Sequence, residues 1–206
     1  MTVSEMTNEV IRLTEYDSNE PNTTTALFFL NLAALDASRI TKYLLNVHSF
    51  SVSANTIVVS EVSNLFVTIE EVWWNGQRIH HHEKAWLQSP PITAGVPSAY
   101  TLAANRIFLI PPPANAGTLL VRGAMYHPKM ILSGQPGENE TTICLFSPDL
   151  HHSLCKYAAG LWLEAYTPHQ EQTQRATNLK QLALQHWQML QQEVLESGIR
   201  TMRYTE

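Results

Sequence analysis

Residues 65–82 read Leu65-Phe66-Val67-Thr68-Ile69-Glu70-Glu71-Val72-Trp73-Trp74-Asn75-Gly76-Gln77-Arg78-Ile79-His80-His81-His82. Phe66, Thr68, Glu70, Val72 and Trp74 alternate with Leu65, Val67, Ile69, Glu71 and Trp73, the two-residue period of a strand with two different faces. Asn75-Gly76 then marks a hairpin, because both central residues of a type I′ turn need positive φ. On either side the pattern continues. Residues 51–59 are rich in β-branched side chains, and 106–110 and 118–126 read as two further strands. Between those two lie Pro111, Pro112 and Pro113 and then Asn115 to Gly117, where a ladder cannot continue. The middle of the chain is thus predicted to be all β.

Both flanks have a helical period instead. Thr2 and Glu5 have capping-box spacing, and Val3, Met6, Val10 and Leu13 follow at helical intervals. The polar residues 16–22 end that helix. A second starts at 23–25 and is expected to bury Leu27, Leu30, Ala34, Ala37 and Ile40. After a polar loop at 133–142, Ser147 followed by Pro148 opens a helix with the stripe Leu150, Leu154, Tyr157, Ala158, Leu161, Trp162 and Ala165. Thr167, Pro168 and Gln170 repeat the start signal, and the last helix runs to about Ser197, burying Ala176, Leu179, Ala183, Trp187, Leu190 and Val194. Its other face, rich in Gln, reads as a solvated one. The expected fold is α+β: a helical bundle of N-terminal helices and a long C-terminal helical hairpin, with a central antiparallel β insertion. It is expected to be a single domain over 1–206, with 1–46 helical, 49–127 the β-rich insertion, 147–197 the helical hairpin and 199–206 a C-terminal tail.

The 206 residues are 44% hydrophobic, a globular value, but only 15% charged, against about 25% in an average soluble domain. A surface so poor in charge is expected to be covered by something. The net charge of −5 argues against a broad basic face for duplex DNA. The polar N-terminus, with Glu5 and Glu9, lacks the pattern of a secretory signal. The longest apolar run, 26–35, is interrupted by Asn31 and is half the ~20 residues of a membrane span. Cys144 and Cys155 make no disulfide framework and are expected to stay reduced. Charge placement carries more information. Glu5, Glu9, Glu15, Asp17, Glu20 and Asp36 stand against Arg12 alone in residues 1–36, while 84–137 contain Lys84, Arg106, Arg122 and Lys129 and no acid. Segments of opposite sign suit head-to-tail contacts between copies.

Candidate chemistry is sparse. His80, His81 and His82 precede Glu83, and imidazoles are common zinc ligands, yet neighbours on an extended segment point opposite ways and cannot all reach one ion. His151 and Cys155 share a helical face, with Cys144 a possible third ligand, but a cysteine among Leu154 and Trp162 also reads as a small core residue. There is no nucleophile elbow, phosphate-cradling glycine loop or His-Glu-x-x-His pair. Glu70 and Glu71 face opposite sides of a strand and cannot act as an acid–base pair. Adjacent Trp73 and Trp74 are expected to place one ring in the core and one at a rim or interface. The reading is therefore of a protein that is not an enzyme, with no catalytic residue, metal or cofactor.

The order of motifs carries a resemblance. Leu30-Asn31-Leu32-Ala33 lies in a helix, Val72-Trp73-Trp74-Asn75-Gly76 ends a β segment, and Gly95-Val96-Pro97-Ser98-Ala99-Tyr100-Thr101-Leu102 leads into Arg106-Ile107-Phe108-Leu109-Ile110-Pro111-Pro112-Pro113. With the strand from Thr118 to Tyr126 that follows, this series resembles the head-to-tail adaptor (connector) proteins of tailed bacteriophages over roughly residues 24–190. The chain departs from their pattern at Ser63-Asn64-Leu65-Phe66, where a Leu-Pro is frequent, and in a helix with His151, His152 and Trp162 that is less Ala-rich. The resemblance implies a structural virion neck protein: a ring, typically a dodecamer, assembled in the host cytoplasm. It would join the portal protein to the next tail or neck protein and continue the DNA channel without sequence-specific binding. It also implies that the end of the chain docks on the portal, which assigns Ile199, Met202 and Tyr204 to apolar pockets and Arg200 and Arg203 to portal carboxylates. Trp73, Trp74, His80, His81 and His82 are assigned to contacts with a neighbouring subunit or the next tail protein. Two other functions compete: a β-rich carbohydrate- or receptor-binding tail module using Trp73, Trp74 and Trp86, and a metal-dependent hydrolase using the histidine clusters.

Overall fold

The computed structural model describes residues 1–14, 22–82, 93–103, 106–134, 136–137, 140–166 and 170–196. These form two compact units, one from Met1–Leu44 with the described residues from His127 to Glu196, the other from Leu45–Tyr126.

The first unit is helical. Helix α1 (Val3–Thr14) opens with the capping box its sequence announces: Thr2 N–H donates to Glu5 Oε2 at 2.7 Å and Glu5 N–H to Thr2 Oγ1 at 3.2 Å. Val3, Met6, Thr7, Val10 and Thr14 form its buried stripe. Helix α2 (Thr23–Thr41) is capped by the Asn22 side chain, which accepts from Thr25 N–H, and ends at Lys42, whose φ of 50° stops the helix. Its buried stripe is Ala26, Phe29, Leu30, Ala33, Ala34 and Ala37. It is thus rotated from the one expected, and Leu27 is only half-buried. Small alanines decide this face, because they let a neighbouring helix approach closely.

That neighbour is α4 (Pro148–Tyr166), which also packs on α1 and on α5 (Gln170–Glu196). Leu150, Leu154, Cys155, Ala158, Ala159, Trp162 and Leu163 are all buried, as a helix surrounded by others requires. At Gly160 the two long helices almost touch: a Cβ there would meet Lys180 Cγ at 2.6 Å and Ala176 O at 2.9 Å. Helix α5 has 27 residues, so it is ~40 Å long, and it buries Ala176, Ala183 and Trp187 as its period predicts.

The second unit is a sheet. Its strands are β1 (Leu45–Val52), β2 (Val58–Val59), β3 (Phe66–Trp74), β4 (Gln77–His81), β5 (Ala99–Ala103), β6 (Arg106–Ile110) and β7 (Gly117–Met125), with a short helix α3 (Val62–Leu65) before β3. They form one seven-stranded sheet in the order β1-β7-β3-β4-β5-β6-β2. Phe50, Val72, Trp74, Ile79, Leu109, Leu119 and Val121 lie in a core of this unit's own. A second, two-stranded parallel pair, β8 (Lys129–Met130) with β9 (Glu140–Thr141), belongs to the helical unit.

The structure corrects the expected architecture. The protein is α+β, but it is not a helical bundle carrying an antiparallel insertion: a large seven-stranded sheet dominates it, and that sheet has its own core. Nor is it purely antiparallel, since β4 pairs with β5 in parallel, His80 opposite Ala99 and His81 opposite Tyr100. A two-residue period marks strands and hairpins but says nothing about which distant strands meet. The pairing of β1 with β7, Leu45 opposite Ala124 through Val52 opposite Gly117, joins segments some 65 to 79 positions apart.

Candidate functional site

The β3–β4 hairpin carries the residues singled out in the sheet. Asn75 and Gly76 have φ of 45° and 82°, the left-handed pair that a type I′ turn demands. Asn75 also fastens the tip to the start of β7. Its N–H donates to Thr118 O at 2.9 Å and its Oδ1 accepts from Thr118 N–H at 2.8 Å. Gly117 stands beneath the Trp74 ring, where a Cβ would sit 2.5 Å from Cζ2.

The two tryptophans part company as strand geometry requires. Trp74 is 4% exposed and packs in the sheet's core, opposite Leu119. Trp73 is half-buried on the other face, opposite Leu120 on β7 and Arg78 on β4. That face also holds an ion-pair cluster, Glu71 lying 3.1 Å from both Arg78 and Arg122. Trp73 therefore presents a half-buried aromatic surface beside paired charges.

The histidines do not converge. His80, His81 and His82 are all exposed and continue the strand alternation; His81 lies edge-on to Tyr100 at 5.4 Å, and His82 N–H donates to Tyr100 O at 2.7 Å. Among the described residues no group of three or more His, Cys, Asp and Glu could hold a metal ion. His151 and Cys155 both face inward: the His151 ring contacts Phe146 O through Nε2 at 3.1 Å, and Cys155 Sγ lies 3.6 Å from Met6 O. Burial raises the Cys144 thiol to about 11 and that of Cys155 to about 12, which keeps both protonated. Ile199, Arg200, Met202, Arg203 and Tyr204, the residues assigned to the portal, lie outside the described residues, as does Trp86.

Two features of the helical unit were not foreseen. The first is a groove of about 560 Å³ between α2 and residues 127–131, walled by Leu27, Phe28, Leu32, Leu35, Met130 and Ile131. Phe28 is 57% exposed. Asn31 fixes the groove's two walls together, for its Oδ1 accepts from Met130 N–H at 2.7 Å while its Nδ2 donates to Met130 O at 3.0 Å. An amide that reads as an interruption of an apolar run thus acts as a piece of strand backbone.

The second is His127. Leu145 N–H donates to its Nε2 at 2.8 Å, so Nδ1 carries the proton and donates to Pro128 O, while His127 N–H donates to Ser38 Oγ at 2.9 Å. The ring stacks on Phe146, and burial depresses its pKa to about 4. No pattern of spacing marks this residue, because its partners are 18 and 89 positions away.

Over residues 1–205 the chain matches the family model described as SU10 adaptor protein. The chain belongs to this family of phage head-tail adaptors. No curated protein matches the adaptor. The match bears out the resemblance carried by the motifs from Leu30 to Pro113, and it makes the adaptor a structural virion component. Among the described residues, no helix of the adaptor is long and apolar enough to cross a membrane.

Proposed function

We propose that the adaptor forms a ring of about twelve copies under the portal, joins the portal to the next tail or neck protein, and continues the DNA channel. The observation that carries this reading is the family match, which runs through both compact units. It supports treating residues 1–206 as one functional domain. Physical chemistry agrees: a chain with 15% charged residues suits permanent burial against neighbours, and a net charge of −5 suits a conduit to which DNA must not adhere. The place of action is the head–tail junction of the virion, after assembly in the host cytoplasm.

Within this reading Trp73 anchors a contact with a neighbouring subunit or the next tail protein, and His80, His81 and His82 flank it. Trp74 is buried, so its contribution to that contact is indirect, through the stability of the hairpin. Ile199, Met202 and Tyr204 dock on the portal, with Arg200 and Arg203 pairing to its carboxylates. Native mass spectrometry of the full chain with purified portal tests the proposal. A ring of defined stoichiometry bound to the portal is expected, and a chain that never joins the portal overturns it. Truncation after Gly198 should weaken portal binding by orders of magnitude, since each buried apolar anchor contributes about 1–3 kcal/mol; unchanged binding removes the tail from the interface.

A further inference from the structure

The two edges of the seven-stranded sheet are built differently. At one end β2 has two residues, the short form by which sheets avoid pairing with other chains. At the other end β1 runs for eight residues, Leu-Asn-Val-His-Ser-Phe-Ser-Val, with no proline, lysine or acid. Asn46, Ser49 and Ser51 on it are exposed.

The ladder shows which backbone groups this edge presents. Thr118 exchanges hydrogen bonds with Asn75, so on β7 Thr118, Leu120 and Arg122 turn toward β3, and Leu119, Val121 and Gly123 turn toward β1. Their partners on β1 are Phe50, His48 and Asn46. Val47, Ser49 and Ser51 therefore point their N–H and C=O groups away from the sheet. Asn46 Oδ1 holds the Val47 N–H at 2.7 Å; among the described residues nothing pairs with the outward backbone of Ser49 and Ser51. Such a row of unpaired groups specifies its occupant, an extended strand with the complementary pattern.

We propose that β1 is a docking edge on which a second copy of the chain lays its own β1, antiparallel, with Ser49 opposite its own counterpart and Val47 opposite Ser51. The edge fits itself. The strand matches its own length, a small side chain lies on the two-fold axis, and no charge opposes another. This register sets His48 opposite Phe50, a ring pair already in contact within one chain at 4.8 Å, and keeps the two imidazoles apart. Asn46 releases the Val47 N–H to the partner. The contact is isologous and closes on two copies, so it belongs to the free adaptor and goes beyond the head-to-tail ring.

The geometry gives a selective test on the full chain. Hydrogen-bonded antiparallel partners have Cα atoms about 5.5 Å apart, within the span of a disulfide. Ser49→Cys should cross-link to itself under mild oxidation, whereas Ser60→Cys, exposed beside the short β2 edge, should not. Ser49→Pro removes a donor that the β7 ladder does not use, so the variant should keep its thermal midpoint and weaken dimerisation in sedimentation equilibrium by at least about tenfold. A wild-type chain that stays monomeric into the submillimolar range overturns the proposal, whether its edge is bare or covered by its own residues 199–206. So does a dimer indifferent to Ser49→Pro, or equal cross-linking at positions 49 and 60. No portal is present in this test. A dimer that never joins a portal defeats only the ring reading, and a portal-bound ring from a chain that is monomeric when free defeats only this one.

Discussion

The helical unit is tied together by side-chain hydrogen bonds, buried or half-buried, between residues distant in sequence, whereas the sheet unit is held chiefly by its ladder and by side chains that alternate. In the first, Asn31 clasps Met130, His127 accepts from Leu145, and Trp187 Nε1–H donates to Ser153 Oγ at 2.9 Å. In the second, Trp74, Leu119 and Val121 fill one face while Trp73, Leu120 and the Glu71 cluster occupy the other. The difference concerns how each can fail. A polar clasp is costly to half-remove, because the partner left behind loses its hydrogen bond where little water can replace it. An apolar face loses stability in proportion to the volume deleted.

Replacement of either buried tryptophan should have the largest effect. Trp187→Ala and Trp74→Ala are each expected to cost about 3–5 kcal/mol in chemical denaturation, and Trp187→Phe, which keeps most of the volume but takes away the N–H that Ser153 Oγ accepts while that hydroxyl goes on donating to Leu150 O, should still cost about 1 kcal/mol. If Trp187→Phe is neutral, the clasp adds nothing to the helical unit and the contrast falls.

Next comes acid. The unfolded chain protonates His127 near 6.5 and the folded chain near 4, so between those values the unfolded state binds more protons. Stability from this residue is therefore complete above about pH 6.5 and is lost as pH falls toward 4, amounting to about 3 kcal/mol in all. Urea titrations at a series of pH values should show this slope, and His127→Gln should flatten it.

Asn31→Leu should then cost about 2 kcal/mol, by leaving Met130 N–H and C=O unpaired. The Met130 amide should exchange hydrogen faster in that variant, which a loss of packing elsewhere would not produce. Smallest of all is Trp73→Ala. With its ring half in solvent it should cost about 1 kcal/mol of stability yet impair assembly of the ring proposed above, while Trp74→Ala should do the reverse. Equal losses of stability from the two would erase the distinction between the faces.

What could be read beforehand follows the same division. Local chemistry was legible: the Thr2–Glu5 capping box, the Asn75-Gly76 turn, Pro148 at the start of α4 and the Ala176–Trp187 stripe are all set by residues close in sequence. The separation of Trp73 from Trp74 followed from the strand period alone. The stripe of α2 was misplaced by part of a turn, because Leu27 and Phe28 are as apolar as the residues the core takes, and only packing against α4 chooses among them. Strand order, the parallel β4–β5 pair and the weight of the sheet in the fold were illegible for want of any local signature. At the site, the motif around Asn31 led to the right family, but what Asn31 does depends on a backbone 99 positions away.

The two cysteines, Cys155 buried and Cys144 half-buried, bear on how the adaptor can be watched at work. With their thiols held near 11 and 12, fewer than about one in a thousand is a thiolate at neutral pH, and the thiolate is the reactive form. Maleimide dyes should therefore leave the native chain nearly dark. A cysteine placed at any exposed position would then take the label by itself, so fluorescent reporters could be moved over the adaptor one position at a time, with Cys144 and Cys155 left in place.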